Sequence, residues 1–227
     1  MKSDFKLKDT FVIGDVHGCY NTLEKLIKKL PKQANIIFVG DLCDRGNFSK
    51  DVIDFVIQSD YLCVKGNHEY LMQTYVQNAF DKKDLSSKWA SRSGWGGKQT
   101  ILSYKGEEKL LKKHLKWIDK LPLYLEIEDF FITHGFGLPY YKRKDEKYLH
   151  SLFVNRIDDS THMKDWEDFK AYKVINIFGH CNFQEVLRGK NYICLDTGCC
   201  YGNKLTAMNL KTLELVEQKT DKKDITP

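Results

Sequence analysis

Five short segments spread along the chain pair glycine with an oxygen or imidazole ligand. They are Gly14-Asp15-Val16-His17-Gly18, Gly40-Asp41-Leu42-Cys43-Asp44-Arg45-Gly46, Gly66-Asn67-His68-Glu69, His134-Gly135 and Gly179-His180. An apolar run precedes each one: Phe11-Val12-Ile13, Ile36-Ile37-Phe38-Val39, Tyr61-Leu62-Cys63-Val64, Phe130-Phe131-Ile132 and Val174-Ile175-Asn176-Ile177-Phe178. These runs are short and mostly without alternation, as strands buried on both faces read. A strand ending in Gly-Asp or Gly-Asn can turn sharply, because glycine tolerates positive φ. In open α/β sheets, sites form beyond the carboxyl ends of strands. The pattern calls for an α/β fold that gathers five strand ends around one site.

The donors at those ends are Asp15, His17, Asp41, Asn67, His134 and His180. Carboxylate, amide oxygen and imidazole without thiolate suit a hard or borderline divalent metal. Six protein ligands are too many for one tetrahedral ion that keeps an open position. They suit two ions if one carboxylate bridges them. Two ions roughly 3.5–4 Å apart can clamp an attacking hydroxide and the phosphoryl oxygens in line.

The ordered set GD-x-HG, GD-x-x-DRG, GNHE, His-Gly and Gly-His resembles the phosphoprotein phosphatase branch of the calcineurin-like metallophosphoesterases. Trp95-Gly96-Gly97, Thr100, Ser103-Tyr104, Leu121-Pro122-Leu123 and the stretch from Asp196-Thr197-Gly198 to Ala207 extend the likeness to bacterial members. It is similar to compact bacterial and bacteriophage lambda-type serine/threonine phosphatases, and to symmetrical diadenosine tetraphosphatases. The resemblance implies a four-layer α/β/β/α sandwich of two mixed sheets, with the metal site at strand carboxyl ends. It implies that Asp15 and His17 bind a first metal, that Asp41 bridges, and that Asn67, His134 and His180 bind a second. It implies that Arg45 and Arg156 hold phosphoryl oxygens. It implies that His68, oriented by Asp44, protonates the leaving oxygen. Arg156 is placed by Leu152-Phe153-Val154-Asn155-Arg156, where the family usually carries a tryptophan near Val154.

Three positions depart from the pattern. His134-Gly135-Phe136 replaces the usual His-Ala-Gly, which is expected to change the wall beside the second metal. Asn182 stands where nuclease branches carry another histidine, which favours the phosphatase branch. Lys65 stands where some relatives place an arginine, keeping the charge without the bidentate fork. Glu69 reads as a residue that favours the N-terminus of the next helix. His114, His150 and His162 read as structural or surface groups.

A chain of 227 residues with 42% hydrophobic content can bury a sizeable core as a single domain, 1–227. No apolar run approaches the roughly 18 residues of a membrane span, and Met1 to Lys6 lacks an apolar signal core. A cytoplasmic location is expected. The seven cysteines show no C-x-x-C spacing. Cys43, Cys63, Cys181 and Cys194 read as small buried residues. Cys199-Cys200 reads as a pair that a nearby metal could make redox-sensitive. The net charge of +5 is dispersed over lysine-bearing helix faces, so no stable nucleic-acid binding is expected.

Residues 10–69 read as β-α-β-α-β with a parallel sheet. Leu23, Leu26, Ile27 and Leu30 form the apolar stripe of the first helix, with Asn21 and Glu24 as its capping box and Pro31 as its stop. Residues 70–120 read as helical, interrupted by a polar loop from Ser86 to Gly97. Pro139 to Lys147 reads as a basic loop, Leu205 to Val216 as a strand pair, and Lys219 to Pro227 as a mobile tail.

The function expected first is a serine/threonine protein phosphatase with two divalent ions, manganese before iron or zinc. The alternative is a symmetrical diadenosine tetraphosphate hydrolase, for which Trp89, Trp95 and Tyr104 are candidate base-stacking residues. The substrate is therefore a phosphorylated protein or a nucleotide.

Overall fold

The apolar runs at positions 10–13 and 35–38 lie side by side because each needs cover on both faces. The computed structural model describes residues 9–81, 87–91, 95–143, 145–157 and 171–225. Strand β1 (Thr10–Ile13), helix α1 (Tyr20–Ile27), β2 (Asn35–Phe38), α2 (Ser49–Gln58) and β3 (Leu62–Cys63) realise the expected β-α-β-α-β order. Both strand pairings within this unit are parallel. Helices α3 (Asn67–Asp81), α4 (Gly97–Ser103) and α5 (Glu108–Asp119) follow. Then come β4 (Tyr124–Ile127) and β5 (Phe130–Thr133), the short helices α6 (Glu146–Leu149) and α7 (Ser151–Val154), and β6 (Ile175–Phe178). Strands β7 (Leu187–Arg188), β8 (Tyr192–Cys194), β9 (Lys204–Asn209) and β10 (Leu215–Lys219) precede α8 (Lys222–Ile225).

Among the described residues there are two five-stranded sheets, ordered β10-β9-β1-β2-β3 and β4-β5-β6-β8-β7. Each mixes parallel and antiparallel pairs. Val12 and Ile37 of the first sheet, with Val64 just past β3, share one cluster with Ile132, Ile177 and Ile193 of the second. Their sequence neighbours Phe11, Ile13, Ile36 and Phe38 point the other way, into a cluster with Leu23 and Leu26 of α1 and Val52 and Val56 of α2. Phe131 and Phe178 face a third cluster with Leu138 and Leu152. The layers are thus helix, sheet, sheet, helix. Successive side chains on a strand point to opposite faces, and both faces are covered here. This is why the runs lack alternation.

Two local expectations are corrected. The first helix is not capped by Asn21 and Glu24: its N-cap is Cys19, which makes no side-chain capping bond. The Asp224 carboxylate instead accepts Asn21 N–H at 3.0 Å and Thr22 N–H at 2.8 Å, with the Thr22 hydroxyl at 2.6 Å. The tail is correspondingly not free through residue 225. Asp224 is fully buried, and its carbonyl accepts Asn47 N–H at 2.9 Å. Four orphan donors at a helix start need partners, and a distant carboxylate supplies acceptors for two of them. His162 and residues 92–94 lie outside the described residues. No helix among the described residues is long and apolar enough to cross a membrane.

Candidate metal centre

Each predicted ligand sits just beyond a strand: Asp15 after β1, Asp41 after β2, Asn67 after β3, His134 after β5 and His180 after β6. The turns that carry them are tight. Eight non-glycine residues among those described have positive φ, and five belong here: His17, Asp41, Asp44, Arg45 and His180. Such backbone costs on the order of 1–3 kcal/mol per residue and persists where surrounding structure fixes it. At Gly179 a Cβ would lie 1.9 Å from Asp15 Oδ1, so the absence of a side chain is what lets the two turns meet.

Asp41 is central. Its Oδ2 lies 3.3 Å from His17 Nε2 and its Oδ1 lies 3.2 Å from His134 Nε2. Asn67 Oδ1 lies 2.9 Å from His134 Nε2 and 2.9 Å from His180 Nδ1. The Asp15 carboxylate accepts His180 N–H at 3.0 Å. His17 and His134 each donate Nδ1–H to a carbonyl, of Cys43 and Val39, both at 2.8 Å. That fixes the tautomer and leaves Nε2 as the inward-facing ligand atom.

The electrostatics favour a cation. Burial, with the charges of Asp196 and Asp41, pushes the Asp15 carboxyl well above its ordinary value. Burial pushes Asp196 up as well. Burial also opposes ionisation of Asp41, but His134, His68 and His17 outweigh it and hold its pKa well below the usual range. His180 is pushed down to about 3 by burial and the charge of His134. Burial and Arg45 likewise lower His17, so both imidazoles are in the neutral form that binds metal. His134 goes the other way, up to about 10, because Asp41 overrides the effect of burial. Among the described residues two groups of donors have ligand atoms within 4.8 Å of one another: His17, Asp41 and His68, and Asp41, His134 and His180. Crowded carboxylates, the neutral imidazoles of His17 and His180 and a shared Asp41 fit two divalent ions.

His68, expected outside the ligand set, has its Nε2 4.0 Å from Asp41 Oδ2. Its Nδ1 lies 2.7 Å from Asp44 Oδ2. Asp44 is itself held by Trp89 Nε1–H at 2.7 Å and the Thr100 hydroxyl at 2.6 Å. The Arg45 guanidinium meets His17 Nε2 through one nitrogen and His68 Nε2 at 3.0 Å through the other. Arg156 is exposed, and its Nη1 donates to the His180 carbonyl at 3.2 Å. All ten predicted site residues therefore converge.

The reading of Glu69 at a helix start holds and gains a second part, while other supporting readings change. Glu69 is fully buried, and its carboxylate accepts N–H from Asp41, Leu42 and Gly66 at 2.8, 2.8 and 2.9 Å. The Gly66 bond is half of a capping box; the other two clamp the Asp41 turn. Lys65 points away from the site, to Gln73 Oε1 at 3.2 Å and the Asp119 carbonyl at 3.3 Å. Phe136 packs against Phe178 and Tyr192 in the outer core, away from the metal side. Trp89 and Tyr104 are fully buried, so neither offers a stacking face. Burial pushes the Cys200 thiol up, which works against a reactive thiolate. Asp196, beyond β8, was missed as a site carboxylate; its position after a sixth apolar run, Tyr192-Ile193-Cys194, was the available signal.

A model of the family described as calcineurin-like phosphoesterase matches residues 9–215. The chain is 26% identical to the asymmetrical bis(5'-nucleosyl)-tetraphosphatase PrpE of Anoxybacillus flavithermus, over 90% of this chain and 91% of that one. It is similar in fold to a crystal structure described as a candidate diadenosine tetraphosphatase, with a TM-score of 0.70 at 18% identity, covering 93% of each chain. A Saccharomyces cerevisiae serine/threonine phosphatase matches with a TM-score of 0.58 at 17% identity, over 94% of this chain and 80% of that one. At those identities the structural matches speak for the fold alone.

Proposed function

Since the chain belongs to the calcineurin-like phosphoesterase family and is a phosphoester hydrolase, we propose that it hydrolyses dinucleoside polyphosphates asymmetrically. The observation that carries the hydrolytic centre is Asp41, whose two oxygens face His17 and His134 separately. The substrate class rests on the relatives named as asymmetrical tetraphosphatases, which match along nine-tenths of this chain. The phosphoserine reading, placed first on sequence, takes second place on that ground, and the asymmetrical relatives replace the symmetrical cleavage expected before.

In this reading Asp15, His17 and Asp41 hold one ion, and Asp41, Asn67, His134 and His180 hold the second. Two divalent ions, with manganese the best match to donors lacking thiolate, supply Lewis-acid polarisation and a nucleophile at neutral pH. Arg45 and Arg156 approach from the His17 and His180 sides and bind phosphoryl oxygens through charge-assisted hydrogen bonds. Their charge matters most where negative charge builds up at phosphorus. Asp44 accepts Nδ1–H of His68 and so turns Nε2 towards the leaving oxygen, as the atom that would deliver a proton to it. One water is added and one phosphoanhydride bond breaks.

The test is product analysis with manganese-loaded protein. Diadenosine tetraphosphate should yield AMP and ATP. Two ADP would mean symmetrical cleavage. An inert dinucleotide, with phosphate released from phosphoserine peptides, would restore the protein-phosphatase reading.

A further inference from the structure

A cavity of about 320 Å³ opens beside the ligand cluster, with Arg45 and His68 in its lining and Tyr70, Trp95, His150 and Phe153 as its aromatic walls. Four large hydrophobic side chains are exposed among the described residues, and three of them are aromatic: Tyr70, Trp95 and Tyr201. All three stand at the site. Tyr70 is 47% exposed and Trp95 37% exposed, both on the cavity. The Tyr201 ring lies 5.5 Å from the Arg45 guanidinium carbon. Exposed rings gathered around a phosphate-binding arginine are a ligand surface rather than scattered surface apolarity.

The placement follows from local structure. Tyr70 lies three residues after Asn67 on α3, so both occupy one helix face. Its ring is 5.5 Å from Phe153 at 37°, and 5.9 Å from His150 at 77°. His150 and Phe153 meet edge-on at 4.6 Å. Trp95 is tied to the phosphate side through Gly96, whose carbonyl accepts Arg45 N–H at 3.1 Å. A Cβ on Gly96 would lie 2.5 Å from that same nitrogen.

We propose that this aromatic cavity holds one nucleobase of the substrate, stacked against Tyr70 and Trp95 with His150 at its edge. The inference rests on the dinucleotide reading and adds its binding subsite. The volume is at the low end of ligand cavities, roughly 300–1,000 Å³, which suits one planar heterocycle better than a peptide. Every base offers a π-face, and stacking on an aromatic side chain is lost when that side chain is cut to alanine. His150, first read as a structural or surface group, gains a role as a wall.

Isothermal titration of the manganese-loaded protein with AMP and with ribose 5-phosphate separates base from phosphate. AMP should bind at least tenfold more tightly than ribose 5-phosphate. Tyr70→Ala should weaken AMP binding roughly fivefold to a hundredfold, the range for one lost stacking partner, and should narrow the gap between the two ligands. Tyr70→Phe should restore it, which a misfolded variant would not allow. Equal affinities in the wild-type protein, or a gap that both Tyr70→Ala and Trp95→Ala leave intact, would overturn the base subsite. Tighter binding of O-phosphotyrosine than of AMP would overturn it too, assigning the cavity to an aryl ester. A wild-type chain inert on diadenosine tetraphosphate would instead defeat the proposed function, and the titrations would still decide the cavity.

Discussion

Trp89 Nε1–H donates to Asp44 Oδ2 at 2.7 Å, the same oxygen that lies 2.7 Å from His68 Nδ1. An indole buried for its bulk thus also orients the proposed general acid. His68→Asn should slow hydrolysis of an alkyl phosphate such as phosphoserine by about a hundredfold or more, the scale of acid catalysis. The loss on p-nitrophenyl phosphate should be clearly smaller, because that leaving group needs the proton less. Trp89→Phe should show the same bias more weakly. Equal losses on both substrates at unchanged metal content would move His68 out of the acid role.

Asp41 faces both donor groups, so one substitution should damage both metal positions. Asp41→Asn should lower bound manganese, measured by elemental analysis of the purified protein, towards none. Activity should fall with it. A variant that keeps two ions per chain would show that Asp41 does not bridge.

Arg45 and Arg156 hold different flanks of the site, and removing either should cost on the order of a hundredfold to a thousandfold in turnover, by analogy with the loss of an oxyanion donor. Metal content should be unchanged. Full turnover of Arg156→Ala would leave Arg45 as the sole clamp.

His114 offers a pH test outside the metal centre. It is fully buried between the Tyr104 hydroxyl at 2.7 Å and Asp54 Oδ1 at 3.2 Å. Burial lowers its pKa, with Asp54 opposing. The unfolded chain, with an ordinary imidazole pKa of about 6.5, then takes up the proton first. Stability is complete above that value and falls as pH drops from it towards the lower folded pKa. His114→Gln should therefore lose less stability than the wild type between about pH 7.5 and about pH 5.5, read from urea midpoints. Parallel losses would show that His114 carries none of the pH dependence.

Loss of the Asp224 carboxylate removes two backbone caps and leaves the buried Thr22 hydroxyl without its acceptor. Asp224→Ala should cost about 2–3 kcal/mol, or roughly 4–12 °C in melting temperature. Asp224→Asn, which keeps one oxygen acceptor, should fall between. An unchanged melting temperature would mean that water replaces the cap without cost.

The convergence of the six donors was legible because each follows a strand within four residues, so chain-local grammar carried it. The β-α-β-α-β unit was legible for the same reason: its contacts join successive runs. What stayed hidden depends on distant partners. Glu69 looks like any acidic residue in a first helical turn, and only the fold brings Asp41 N–H within 2.8 Å of it. Trp89 and Trp95 are alike as letters, yet one is fully buried and the other 37% exposed. Nothing near Asn21 announced that its cap lies 203 positions away.

That distance has a consequence for the order in which the molecule is made. Strand β1 is flanked by β2 and, antiparallel, by β9, with Phe11 opposite Asn209. Ribosomal synthesis delivers β1 and α1 before β9, and the Asp224 cap follows Asn21 by 203 residues. Until then β1 has one open edge, and the start of α1 has bare N–H groups that only solvent serves. Nascent chains expose unpaired edges in such intervals, and non-local pairing slows closure. The first helix and the centre of the first sheet therefore reach their final state only after residue 224 has left the ribosome, so elements made well before β9 are completed after it.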